Sequence, residues 1–329
     1  VKTMAPNYTA LQRITACFKG IATGDAIGKQ TESLQYEEIR EWFPNGINGF
    51  EGEVGVVMPR YKGKHYDYRF GETTDDTEQT LAIAKVIVEG LPITHTAVGK
   101  QLMLCKKSNR LTLALGRFQE QGDPNRVTFE GNGCGAAMRV APVGALYSSA
   151  KIQDLLSSVF EASIPTHGGR IAISGASAVA AAVSAAIDNK SPEEVLQHSV
   201  LAARNSEKYR PEGSEDPICI ADLILQIFDD LASEKDISLD RIKEKYMPWK
   251  TPYIVALAIN FAVLTKSADK TILLASNLGG DTDSVASMGA GIAAAMFPET
   301  LNNSWYTSVE KVNGGEIVAL APIIAALRT

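Results

Sequence analysis

The sequence lacks most of what would tie it to a familiar small scaffold or cofactor loop. Its four cysteines (Cys17, Cys105, Cys134, Cys219) are widely spread, with no C-x-x-C pair. That excludes a zinc knuckle and a disulfide framework, and it fits a reducing compartment. No run of like charge occurs, and the net charge of −6 leaves no basic footprint for nucleic acid. No secretory pattern opens the chain, and no stretch reads as a convincing membrane span. Residues 283–297 come nearest, but they are short and rich in Gly and Ala. These absences lead us to expect a cytoplasmic protein without nucleic-acid or membrane partners. No segment alternates at period two, no Pro-, Gly- or Ser-rich linker divides the chain, and no internal repeat is visible. The expectation is one all-α domain over residues 1–329, a compact orthogonal helical bundle and a monomer, with any strands confined to 46–71.

What is present is enough apolar material for a large core: 45% hydrophobic and 21% charged residues over 329 positions. Helical spacing predicts helices over 8–28 and 33–43, then from Thr77 to Glu89, near 94–107 and 109–120, and over Arg170–Asp188. Ser191-Pro-Glu-Glu is a strong helix start for 191–204. Further helical patterns cover 217–233, 238–246, 252–266 and 307–322, with glycines at 314–315 able to interrupt the last. Between Gly46 and Gly71 periodicity disappears. The patch Arg60–Arg69 there interleaves basic and aromatic residues, which suits a solvated loop or a nucleotide-like ligand.

The chain is organised around Asn277-Leu-Gly-Gly-Asp281-Thr-Asp283-Ser284, which opens a run of small apolar residues ending at Met296. Asp at a helix mouth is ordinarily a cap. Capping needs one side chain, however, and here Asp281, Thr282, Asp283 and Ser284 crowd a place leading into the interior. Carboxylates gathered there repel one another unless a cation lies between them, and a hard divalent metal prefers oxygen donors. A second acidic mouth, Thr74-Asp75-Asp76-Thr77-Glu78, precedes another apolar run, with Asp75 and Glu78 at capping-box spacing. Together the two read as halves of one oxygen-ligand site. Gly131-Asn132-Gly133-Cys134-Gly135 could aim backbone N–H groups at an anion, or serve only as a tight helix entry. It is neither a P-loop nor G-x-G-x-x-G. His167, at a helix start, reads as a cap or core-edge donor, and Asp25 in Gly24-Asp-Ala-Ile-Gly28 as a turn residue.

These motifs in this order resemble the ADP-ribosylglycohydrolase family: Gly24–Gly28 with Glu32, Thr74–Thr77, Gly131–Arg139, Thr166-His167 and Gly279–Ser284. The likeness extends from about residue 10 to residue 297. It implies an all-α fold with a binuclear Mg²⁺ or Mn²⁺ centre in a cleft. By resemblance, Thr74, Asp75 and Asp76 would serve one metal, Asp281 and Ser284 the other, and Asp283 both. Glu32 would be a ligand or a catalytic group, and Glu32, Asp76 and Asp281 are the candidates to take a proton. Asn132, Gly133, Cys134, Gly135, Met138, Arg139 and His167 align with residues holding the diphosphate and ribose. Two positions depart from the family pattern: Ser284 replaces a frequent Thr, and Gly169 replaces a His found in several bacterial members. The expected activity is metal-dependent release of ADP-ribose from a protein side chain or small molecule. An N-glycosidase on free nucleosides, a phosphohydrolase or a non-catalytic ADP-ribose binder are the competing readings.

Overall fold

The computed structural model describes residues 6–59, 67–108, 122–210 and 217–329. Among these lie α1 (Ala10–Gly28), α2 (Tyr36–Trp42), α3 (Asp75–Glu89) and α4 (His95–Met103). Then come α5 (Gly135–Met138), α6 (Ala141–Leu146), α7 (Ile152–Ser163), α8 (Arg170–Ile187), α9 (Pro192–Asn205) and α10 (Ile220–Leu231). The chain continues with α11 (Leu239–Lys245), α12 (Thr251–Thr265), α13 (Ala268–Leu278), α14 (Thr282–Met296), α15 (Asn303–Asn313) and α16 (Ala321–Leu327). The fold is all-α. Among the described residues the β-structure is one isolated antiparallel bridge, Val57 with Arg69, inside the 46–71 segment to which any strands were expected to be confined.

Small residues set the spacing at the centre. In α1, Gly20, Gly24 and Gly28 recur every fourth position and form one stripe facing α14. A Cβ on Gly24 would stand 2.4 Å from the Ala286 carbonyl oxygen, and one on Gly28 2.7 Å from the Asp283 Cα. The two helices therefore touch backbone to backbone, and no side chain larger than hydrogen fits between them. Arg13 fixes the far end of the pair, donating from Nη1 to the carbonyls of Ala295 and Met296 at 2.8 and 2.6 Å. A cation there complements the C-terminus of α14.

Around this pair pack α8, α12 and α13. Every residue of α8 from Ile171 to Ile187 is buried, as is all of α14. The sequence reading singled out 283–297 as nearest to a membrane span, and that needs correcting. It is Arg170–Ile187, with mean hydropathy 1.6 over 18 residues, that has the length and composition, and 94% of it is buried within the fold. A central core helix meets the same criterion, because it too is apolar all round.

Most helix expectations hold within a few residues, including the Ser191–Glu194 capping box at the start of α9. The 307–322 pattern is divided by Gly314, whose φ is +88°, into α15, a short 3₁₀ turn and α16. Helices α7 and α13 were not anticipated, although Asp269 and the Ser267 cap mark the start of α13. The helix expected at 109–120, and residues 60–66 of the basic-aromatic patch, lie outside the described residues.

Candidate metal centre

Two backbone arrangements bring the acidic segments together. After α1 the chain turns through Lys29–Thr31 and presents Glu32. The next residues then exchange hydrogen bonds with the Gly279-Gly280 turn: Ser33 N–H donates to the Gly280 carbonyl at 2.8 Å, and Gly280 N–H to the Leu34 carbonyl at 2.9 Å. Gly279 and Gly280 have φ of +101° and +75°, a region that L side chains rarely adopt. This clip sets Glu32 beside Asp281. Thr282 Oγ1 adds a bond to the Gly28 carbonyl at 2.6 Å.

The second arrangement joins α1 to the mouth of α3. Asp25 is fully buried and collects four donors: Thr74 N–H at 2.8 Å, Thr74 Oγ1 at 2.7 Å, Thr77 N–H at 3.2 Å and Thr77 Oγ1 at 2.6 Å. A carboxylate at that helix start also complements its dipole. Thr74 is the N-cap, and its oxygen accepts from Asp76 N–H. The expected Asp75–Glu78 capping box is therefore corrected. Glu78 instead accepts from the backbone N–H groups of Lys106 and Lys107 at 3.0 and 2.9 Å.

The result is two carboxylate sets with one member in common. Asp25, Asp76 and Asp283 offer oxygens all within 4.8 Å of one another, and so do Glu32, Asp281 and Asp283. Asp76 and Asp283 are each 2% exposed, while Glu32 and Asp281 are half-buried. Ser284 Oγ donates to Asp76 Oδ2 at 2.8 Å. Thr74 Oγ1 stands 3.4 Å from both Asp76 Oδ1 and Asp283 Oδ2, but at 2.7 Å it is closer to Asp25 Oδ1, where its proton goes. Asp75 belongs to neither set.

The electrostatics of this cluster are unfavourable without a cation. Burial raises the Asp283 carboxyl well above its ordinary range, and the charges of Glu32, Asp76 and Asp281 raise it further. Asp76 is raised in the same way, by burial and then by Asp25, Asp75 and Asp281. Asp75 is pushed up to about 7 by burial and by Asp25 and Glu32. Lys29 is ion-paired with Glu32. Burial disfavours its ammonium, but Glu32 and Asp283 more than offset this and raise its pKa. One ammonium leaves most of the negative charge uncompensated. Asp283 Oδ1 is buried with no hydrogen-bond partner, and an unpaired buried carboxylate oxygen is costly. Oxygen donors, excess negative charge and this orphaned atom together fit hard divalent cations at both sets.

The loop assigned by resemblance to the diphosphate and ribose is built differently. Asn132 Oδ1 accepts from the N–H groups of Ile171 and Ala172 at 3.1 and 3.3 Å, capping α8 from outside it. Arg139 is 1% exposed, and its guanidinium donates to the Ala162 carbonyl, Gln79 Oε1 and Thr166 Oγ1 at 2.7–3.3 Å. His167 is buried with Nδ1 2.7 Å from Thr166 Oγ1, and burial and then Arg139 push its pKa down to about 3. The Arg139 guanidinium is thus engaged inside the protein, whereas Asn132 is exposed and puts Oδ1 into the cap of α8. Met138 is buried, and its carbonyl accepts from Thr80 Oγ1. Gly133 and Gly135 leave room for the His167 ring, since a Cβ on Gly135 would lie 2.5 Å from its Cε1. At Gly169, where several bacterial members carry His, a Cβ would meet Asn132 Oδ1 at 2.0 Å. Cys134 does reach the acids, its Sγ 3.2 Å from Asp281 Oδ2 and 3.7 Å from Ser284 Oγ.

Sequence reasoning missed Asp25 as a member of the centre. The visible signal was its place in Gly24-Asp25-Ala-Ile-Gly28, on the helix whose glycines face the Asp283 segment.

Comparison with known proteins finds relatives over nearly the whole chain. The profile of a family described as ADP-ribosylglycohydrolase matches residues 6–329. An uncharacterized protein of Archaeoglobus fulgidus is 29% identical over 86% of this chain and 87% of its own length. The uncharacterized protein YegU of Escherichia coli is 27% identical over 87% of both chains. ADP-ribosylhydrolase ARH3 of Homo sapiens is 25% identical over 94% of this chain and 92% of its own. Among solved structures, an ADP-ribosylglycohydrolase-related protein complex superposes with TM-score 0.71 over 97% of this chain and 99% of that one, at 23% identity.

Proposed function

The chain belongs to the ADP-ribosylglycohydrolase family, and on that premise we propose that it is a hydrolase cleaving the glycosidic bond between ADP-ribose and an acceptor, with two divalent cations, Mg²⁺ or Mn²⁺, in the acidic centre. The observation that carries this reading is the pair of carboxylate sets meeting at Asp283. Asp25 and Asp76, with Thr74 Oγ1 beside them, would hold one cation, Glu32 and Asp281 the other, and Asp283 both. A pair of divalent cations held there would supply Lewis acidity to orient substrate hydroxyls and lower the pKa of a water.

The chain's own residues divide the remaining work by exposure. Asp76 is 2% exposed and holds the Ser284 proton, so it is suited to ligation rather than to proton exchange with substrate. Glu32 and Asp281 are half-buried and can take the proton of an attacking water on a carboxylate oxygen. Lys29 steadies Glu32 through its ion pair. Arginine, serine and small-molecule acceptors all leave from the same carbon and are equally compatible with this core.

The deciding experiment is turnover of ADP-ribosyl-arginine, an ADP-ribosyl-serine peptide and a panel of nucleosides with Mg²⁺, Mn²⁺ or EDTA. Release of ADP-ribose from one acceptor, abolished by EDTA, is expected and names the substrate. Release of a base from free nucleosides would replace this reading with a nucleosidase. Binding of ADP-ribose with no turnover of any substrate would make the protein a binder.

A further inference from the structure

The cysteine facing the carboxylates gives the centre a donor that Mg²⁺ has no use for. Resting on the proposed metal centre, we infer that Cys134 makes the Glu32–Asp281–Asp283 position a trap for thiophilic divalent cations, Zn²⁺ and Cd²⁺, which it binds through sulfur as well as oxygen. Three observations support this. Cys134 Sγ is 3.2 Å from Asp281 Oδ2, so a cation held by that carboxylate lies within reach of the sulfur. Ser284 Oγ, 3.7 Å from the same sulfur, already has an acceptor in Asp76 and does not compete for it. The carboxylate of Asp283, 98% buried, belongs to the same set and keeps Oδ1 without a partner.

The chemistry is selective. Thiolate is a soft ligand that favours Zn²⁺ and Cd²⁺ over Mg²⁺ and Mn²⁺. A coordinating thiol gives up its proton, here the one donated to Asp281, and that proton passes to solvent as the metal–sulfur bond forms. Cys134 therefore leaves Mg²⁺ loading to the oxygens but makes the enzyme susceptible to capture by softer ions. Capture would hold Asp281 and Asp283 in an arrangement that excludes the Mg²⁺ or Mn²⁺ form.

Cadmium ion alone, titrated into the full chain, tests this through the ultraviolet charge-transfer band of a cadmium thiolate. A single saturating band is expected in the wild type, absent in Cys134→Ser and kept in Cys219→Ser, the other half-buried cysteine. Cd²⁺ affinity should fall roughly tenfold or more in Cys134→Ser, with a far smaller change for Mn²⁺. Retained Mn²⁺ binding by that variant shows an intact centre, and cadmium NMR of the wild type distinguishes sulfur-containing from all-oxygen coordination without any substitution. A band that survives in Cys134→Ser, or Cd²⁺ displacing Mn²⁺ into an all-oxygen site, would overturn the inference. Failure of ADP-ribose release with Mg²⁺ and Mn²⁺ is read in a separate assay and would count against the hydrolase reading alone.

Discussion

Two neighbouring regions of this protein are both polar and organised in opposite ways. In the acidic centre, like charges converge and Asp283 Oδ1 has no partner. In the loop behind it, Arg139 has acceptors in Ala162, Gln79 and Thr166, and Asn132 closes the end of α8. A buried polar group with its hydrogen bonds satisfied holds structure together. One left unsatisfied among its own kind is waiting for something to bind. The difference marks Arg139, which the family resemblance had assigned to the diphosphate and ribose, as a strut.

The sharpest way to break the comparison is Asp283→Asn. Turnover should fall by about a hundredfold or more, with both cations weakened. A metal at about 100 times its Kd stabilises the wild type by about 2.7 kcal/mol, and the variant should lose most of that gain. In EDTA the same change should raise the melting temperature, because it removes a repelled charge. A variant with full turnover would rule out the shared-ligand role.

Arg139→Met probes the other region. It should lower stability by about 3 kcal/mol in urea unfolding, since Ala162 O and Gln79 Oε1 lose their buried donor. ADP-ribose affinity of the folded protein should hardly change. Loss of binding at unchanged stability would mean that the guanidinium contacts ligand after all.

The two regions should also respond to pH with opposite signs. Asp75, Asp76 and Asp283 have raised folded pKa values, so their contribution is fully present below the ordinary carboxylate value near 3.8 and is lost as pH rises, for Asp75 through about 7. His167 is depressed from 6.5 to about 3, so its contribution is present above 6.5 and lost as pH falls. Thermal melts in EDTA should therefore gain stability on acidification relative to melts in Mn²⁺, where bound metal suppresses carboxylate protonation. Parallel pH profiles with and without metal would show that the carboxylates are not coupled to an ion. The smallest effect expected is that of Asn132→Ala, about 1 kcal/mol for the lost cap of α8, with turnover retained.

Much of this was legible in the sequence because it is local. Helical period, the Ser191 capping box and the glycines at 314–315 act within a few residues, so the all-α class and most helix spans follow from them. The acidic mouths were legible for the same reason: a helix start is a local event, and the crowding of Asp281, Asp283 and Ser284 exceeds what a cap needs. Asp25 was not, since its donors come from Thr74 and Thr77, about fifty positions away. Nor were the buried fate of Arg139 and the capping role of Asn132, which depend on which carbonyls and helix ends the fold brings to them.

By itself, then, the sequence determined most of the helices, the absence of a sheet-forming pattern and the stock of oxygen donors at two helix mouths. The meeting of those mouths was decided only in three dimensions. It required the Gly20–Gly24–Gly28 stripe to bring α1 against α14 and the Ser33–Gly280 exchange to set Glu32 beside Asp281. The physical reason is range: propensity and capping act over one helical turn, whereas a shared carboxylate depends on backbones far apart in the chain approaching to contact distance.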